Sequence, residues 1–254
     1  MIFAWFWLLV VGWIAASSSA QARVRVQPPR ADSVRVPILV YHSIAAHRAG
    51  QNGEQRELDV DTTVFRTQMS YLAANGYNVI SFPALVDALE HGTGVPPRSV
   101  VITFDDGWET QYAVAFPILR QLHFTATFFI FSQPIGVDPG YMTWAQIKQL
   151  QGGGMTIAAH SRTHPKLTLP SVALAGEVAG SRGDLQREIG TAPDIFAYPY
   201  GIWDDRVASA VRAAGFQAAR ALSGGEWNSA SNLYALHSVL ATDNMLLFER
   251  ALGP

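Results

Sequence analysis

Apolar positions along this chain gather into short runs of strand length separated by longer amphipathic stretches. The strand-like runs are Pro37 to Tyr41, Asn78 to Ser81, Val100 to Phe104, Thr125 to Phe131, Met155 to Ala159, Ile195 to Tyr198, Gln217 to Leu222 and Leu236 to Leu240. Between them lie helix-like segments with end signals. "VFRTQMSYLAANG" closes on Gly76, "TWAQIKQLQGGG" starts on the capping residue Thr143, and "DDRVASAVRAAG" runs from Asp204 to Gly215. Strands alternating with helices and lacking any fine repeat predict an α/β fold with parallel strands, either a (β/α) barrel or a doubly wound sheet. Both architectures place their chemistry at the C-terminal ends of the strands. His42, the pair Asp105 and Asp106, His160, and Pro199-Tyr200-Gly201 each follow a run directly. They are therefore predicted to meet at one rim.

The first residues depart from this alternation. An apolar run from Ile2 to Ala16 leads through small residues to an A-x-A site at Ala20-Gln21-Ala22, which reads as a cleaved export signal over residues 1–22. The run is short for a membrane span of roughly 20 residues, while the lack of Lys or Arg ahead of it leaves an uncleaved anchor as the alternative. Residues 23–36, with "QPPRADS", read as a linker, and residues 37–254 as the folded domain. The expected location is periplasmic or extracellular, with membrane contact only through the export signal.

Composition narrows the chemistry. A chain of 254 residues, 49% hydrophobic and 15% charged, suffices for one large domain. A net charge of −2 offers no basic stripe for a phosphate backbone, so nucleic acid is excluded as a partner and a neutral, sugar-like substrate fits better. The absence of cysteine excludes disulfides, thiolate metal sites and a Cys nucleophile. Any metal must be held by His, Asp or Glu.

Two features point to such a metal. "AAHSRTHPKL" carries His160 and His164 at i, i+4 spacing, which on a helical turn sets two imidazoles on one side. "VVITFDDG" ends a strand on two adjacent carboxylates, which repel each other unless a cation is present. Two histidines and one aspartate make a three-ligand site with open positions, and the second aspartate is left for proton transfer.

"TFDDG", "HSRTHP" and "YPYG", in that order, resemble the NodB-type polysaccharide deacetylases of carbohydrate esterase family 4. "PILVYHSI", "FRTQMSYLAANGYNVISF" and "YMTWAQIKQLQGGGMTIAAHS" are similar to the subgroup containing exported poly-β-1,6-N-acetylglucosamine deacetylases. The resemblance covers nearly all of Pro37 to Leu252. It implies a distorted (β/α) barrel of the NodB-homology type, holding a divalent ion, most often Zn2+, through Asp106, His160 and His164. Asp105 would be the general base, and the Tyr200 backbone N–H, in a turn fixed by Pro199, would bind the oxyanion. The implied reaction removes N-acetyl groups from an N-acetylglucosamine-containing polysaccharide and releases acetate. In the exported subgroup the general acid comes from the N-terminal motif, which matches His42; the other candidate is His237 in "YALHSV". Of these two, His42 follows its strand at the rim, whereas His237 lies inside a strand-like run.

One departure stands out: many family members have Arg two residues before the motif's Pro, where it contacts the base, and this chain has Ala197. That opens the competing reading of a non-catalytic carbohydrate-binding protein on the same barrel, although such a module needs no spare carboxylate beside its ligands. Asp204 is expected to cap a helix. Tyr141 and Trp144 are candidate sugar-stacking residues. His47, His91 and His123 are expected to be solvated or structural.

Overall fold

The computed structural model describes residues 32–47, 50, 53–223 and 225–253. The expected export signal and the first part of the linker lie outside the described residues. Among the described residues no helix is long and apolar enough to cross a membrane.

The strands are β1 (Val34–Arg35), β2 (Ile38–Tyr41), β3 (Ser43–Ile44), β4 (Asp59–Val60), β5 (Asn78–Val79), β6 (Ser99–Asp106), β7 (Thr127–Ile130), β8 (Thr156–Ala159), β9 (Ile195–Ala197), β10 (Ala218–Arg220), β11 (Trp227–Asn228) and β12 (Val239–Leu240). The helices are α1 (Gly53–Leu58), α2 (Thr62–Ala74), α3 (Phe82–His91), α4 (Phe116–Gln121), α5 (Trp144–Gly152), α6 (Leu174–Ile189), α7 (Asp205–Ala213) and α8 (Met245–Leu252). The main sheet runs in the order β10-β9-β8-β7-β6-β2-β12, with β5 also on β6. Every pairing in it is parallel. The expected distorted (β/α) barrel is the observed architecture. All eight predicted runs contain a strand, and the three quoted helices form, with Thr143 and Asp204 as caps. β1 already pairs with β11, so ordered structure reaches back into the segment read as linker.

Side-chain alternation sorts the sheet into two buried layers. Leu39, Tyr41, Ile102, Phe104, Phe128, Ile130, Phe196 and Ala219 join the residues of the surrounding helices in the larger core. The alternate residues Ile38, Val101, Phe129, Ala158, Ala197 and Ala218 form the second core with Phe82, Leu85, Val86 and Leu89 of α3. Phe82 meets Phe129 edge to face, with ring centroids 5.7 Å apart. Continuing this second register toward the strand ends leads to His42, Asp105, His160 and Arg220. The pattern that fills the barrel therefore also delivers the polar residues at its rim.

The ring closes through a single strap. Leu236 donates to Ala219 O on β10 and accepts from Ala221 N just beyond that strand, each at 2.9 Å, while Val239 and Leu240 pair with β2.

Candidate active site at the strand ends

The β6 strand is longer than its apolar run predicts, and both aspartates lie within it, paired with Phe129 and Ile130 of β7. Asp106 has φ 77° and Gly107 φ 88°. A Cβ on Gly107 would lie 3.1 Å from Ile135 Cδ1 and 3.2 Å from Ile130 Cδ1, so glycine alone fits this turn. The left-handed Asp106 backbone is the kind of local strain that costs about 1–3 kcal/mol and persists where its surroundings fix it.

The i, i+4 histidines are not on a helical turn. His160 follows β8, and the loop to His164 passes through Ser161 at φ 66° and ends with His164 at φ 59°. This corrects the helical expectation: the imidazoles converge because the loop is held from outside. Glu177 of α6 accepts from Arg162 N at 3.0 Å, Thr163 N at 2.9 Å and Thr163 Oγ1 at 2.7 Å. Asp184, also on α6, accepts from Ser132 Oγ, Arg162 Nε, Arg162 Nη2 and Arg187 Nη2. Burial pushes the Asp184 carboxyl up, but the bonds from Ser132, Arg162 and Arg187 outweigh it and hold it below the usual range.

Asp106, His160 and His164 offer ligand atoms that all lie within 4.8 Å of one another. Asp106 Oδ1 is 3.6 Å from His160 Nε2 and 3.4 Å from His164 Nε2, and it is a buried oxygen with no hydrogen-bond partner. Its other oxygen accepts from Trp108 Nε1 at 3.0 Å. His160 Nδ1 donates to Ala197 O at 2.8 Å, which fixes the tautomer and leaves Nε2 with its lone pair. Burial, helped by His164 and Arg220 against the two aspartates, pulls the His160 imidazole down to about 4, so the ring is neutral near pH 7. A buried oxygen lone pair facing two imidazoles of this kind fits a divalent cation.

Beside this trio stands Asp105, 4% exposed. Its Oδ2 accepts from Arg220 Nη2 at 2.5 Å and lies 4.0 Å from His42 Nε2 and 3.9 Å from His160 Nε2. Burial pushes the carboxyl up, yet Arg220, His160 and His42 together hold it below its ordinary value. Arg220 answers the departure at Ala197. The two residues are register partners on the neighbouring parallel strands β9 and β10, so the guanidinium enters the same space from one strand over. It lies over the Phe129 ring, 5.0 Å from the centroid. Sequence reasoning missed Arg220, although a lone charge inside the run Gln217 to Leu222 was its signal.

The remaining expected residues divide. Tyr200 is half exposed, with φ 60° and ψ 7°, in the turn after Pro199; its ring is 4.7 Å from that of His164. A Cβ on the next residue, Gly201, would lie 2.6 Å from the Leu222 backbone nitrogen, which ties this turn to the end of β10. Tyr141 stacks on Trp108 at 4.5 Å, and Phe131 meets both Tyr141 and His164. Burial, with Asp106 and Asp138, pushes the Tyr141 phenol up to about 12. Trp144 packs into the core at the start of α5, beside Gly136. His237 bonds through Nδ1 to Ser223 Oγ at 2.5 Å, and Asn228 holds its backbone on both sides. His47 pairs with Asp243, and His91 with Asp87.

Residues 92–219 match the polysaccharide deacetylase family. The chain belongs to that family. Among relatives of this deacetylase, a Bacillus subtilis (strain 168) protein, YxkH, with a provisional polysaccharide-deacetylase name, is 27% identical over 83% of this chain and 73% of its own. The poly-β-1,6-N-acetyl-D-glucosamine N-deacetylase of Staphylococcus epidermidis (strain RP62A) is 26% identical over 65% of this chain and 61% of its own. Among solved structures, the Streptococcus pyogenes deacetylase PplD, in complex with acetate, superposes with a TM-score of 0.78 at 25% identity, covering 89% of this chain and all of that one.

Proposed function

We propose that this polysaccharide deacetylase is a metal-dependent amide hydrolase that removes N-acetyl groups from an N-acetylglucosamine-containing polysaccharide. The observation that carries the reading is the unpartnered Asp106 Oδ1 facing His160 Nε2 and His164 Nε2, with a second carboxylate beside it. The sugar named for the Staphylococcus epidermidis relative and the acetate bound to the Streptococcus pyogenes neighbour support the substrate class. Asp106, His160 and His164 would hold the ion, and two imidazoles with one carboxylate suit zinc. A divalent ion in that position polarises a carbonyl and acidifies water.

The chain's own residues account for the proton traffic. Asp105 is kept ionised by Arg220, which occupies Oδ2; its Oδ1 has no partner and accepts the proton of the attacking water. The water oxygen adds to the acetamide carbon, and the Tyr200 N–H, turned by Pro199, donates to the developing oxyanion. The C–N bond then breaks as His42 gives its proton to the departing amine, releasing acetate and a free amino sugar. Trp108 with Tyr141 on one side and Tyr200 on the other are the sugar-facing walls. Residues 1–22 act as the export signal, placing the enzyme in the periplasm or outside the cell.

The test is acetate release from poly-N-acetylglucosamine, chitin oligomers and peptidoglycan, before and after chelation and with zinc restored. Release that chelation abolishes and zinc recovers supports the reading. Zinc-loaded protein that frees no acetate from any of them ends it.

A further inference from the structure

β2 and β6 stay in register up to the pair Tyr41 and Phe104. One residue further on stand His42 and Asp105, and there the β2–β6 ladder stops, although β6 goes on pairing with β7. The two carbonyls at this point are instead joined by one side chain. Gln111 Nε2 donates to His42 O at 3.0 Å and to Asp105 O at 2.5 Å. Since both acceptors are carbonyls, the amide orientation is settled: only NH2 has two protons to give. Gln111 is fully buried, and its Oε1 is left without a partner, so the side chain sacrifices its own acceptor to hold these two donor bonds.

The local fold explains how the side chain gets there. Gln111 opens a single π-helical turn, Gln111–Ala115, in which Phe116 N bonds back to Gln111 O. Such turns are rare and mark sites where a side chain is re-aimed. The preceding residue reinforces the link: Thr110 Oγ1 accepts from Ile44 N at 3.2 Å and donates to Ser43 Oγ at 3.3 Å. Residues 110–111 thus clip the segment after β2 to the end of β6.

We propose that Gln111 is a positioning residue that sets the separation between the proton acceptor Asp105 and the proton donor His42, an inference that rests on the deacetylase reading above. Its side-chain bonds go to two backbone carbonyls and to none of the side chains that carry the chemistry. It acts by fixing the backbones of the two residues whose side chains stand 4.0 Å apart. Misplacement of reacting groups by about 1 Å can cost 10²-fold in rate, so losing this clip falls on turnover and not on binding.

The experiment compares wild type with Gln111→Met, which keeps length and volume but has no donor, and with Gln111→Asn, which keeps both donors on a shorter arm. Gln68→Met is the control for a buried glutamine of purely structural role: Gln68 is equally buried and bonds Tyr41 Oη and Thr242 O. In zinc-loaded wild type, the Gln111 side-chain amide protons should exchange slowly by NMR. Gln111→Met should bind zinc as wild type does, keep KM within about twofold and lose at least about tenfold in kcat. Gln68→Met should lower Tm and keep kcat. Should Gln111→Met not fold, Gln111→Asn carries the same expected loss in kcat. Rapidly exchanging amide protons in wild type, or wild-type kcat in the folded Gln111 variants, overturns the proposal while leaving the deacetylase reading intact. Wild type that frees no acetate overturns both.

Discussion

Arg220→Met removes a buried cation while keeping most of its apolar length. The guanidinium is 1% exposed and bonds Asp105 Oδ2 and Ser238 Oγ. Removing one partner of a buried pair costs roughly 3–5 kcal/mol, because the other charge is left in a poor solvent. Asp105 escapes part of that cost by taking up a proton. In the intact site, burial pushes its carboxyl up and Arg220, His160 and His42 more than reverse this, leaving it below the ordinary value. A carboxyl depressed in this way adds stability that is present above the unfolded pKa of roughly 3.9 and is lost as pH falls through the folded value. Without Arg220 the largest influence opposing burial is gone, so the carboxyl titrates higher than in wild type and the variant gains less stability than wild type as pH rises. The deficit of the variant against wild type should therefore be small near pH 4 and reach about 3–5 kcal/mol near pH 7, read by urea denaturation of the metal-free protein. The acidic limb of the rate profile should move toward neutral pH, since the base must be ionised to work. Register pairing adds a second arm. Paired residues on adjacent strands sit about 4.8 Å apart on one face, so Ala197→Arg combined with Arg220→Ala should recover much of what Arg220→Ala loses. Wild-type stability and an unmoved acidic limb in Arg220→Met would refute the ion-pair reasoning, and a double variant no better than Arg220→Ala would refute the register reasoning.

Three further outcomes follow from the same geometry. Asp106→Asn and His164→Ala should each lose zinc by at least about tenfold in affinity, measured by chelator competition; stoichiometric zinc in both at wild-type affinity would remove the ligand assignment. His42→Ala should lose roughly 100-fold in kcat at equal zinc content, with His237→Ala near wild type; the opposite ranking would move the proton donor to His237. Glu177→Ala, which takes three bonds from the ligand loop, should weaken zinc binding by roughly 10–100-fold without touching the ligands, and unchanged affinity would show that the loop holds its own shape.

The barrel was legible because its strands are continuous apolar runs and its helices carry end signals such as Thr143 and Asp204. The rim residues were legible because strand alternation brings His42, Asp105 and His160 to one end. What stayed hidden depended on distance in sequence. Arg220 meets Asp105 across 115 positions, and only the β9–β10 register says that it takes the place Ala197 leaves. Likewise, i, i+4 spacing cannot tell a helical turn from a loop; the loop from His160 to His164 takes its shape from Glu177 and Asp184, on a helix the sequence obscures. α6 carries Gly176, Gly180 and Gly183, each of which lowers helix propensity by about 1 kcal/mol relative to Ala. Arg162 passes Gly180 at ordinary contact distance, 3.5 Å from where a Cβ would be, on the way to Asp184.

The strap that closes the ring behaves as a latch. Leu236 fastens the end of β10 through two bonds, Ser238 Oγ donates to Ala221 O at 2.7 Å and accepts from Arg220, and the very next residues, Val239 and Leu240, pair with β2. Unfastening it would free an edge of β10 and release the hydroxyl that steadies the guanidinium in the same movement. Breathing of the hoop and loss of charge balance around Asp105 are thus one event, and the amide exchange rates of Ala221 and Leu236 measure how often the enzyme falls briefly out of its working state.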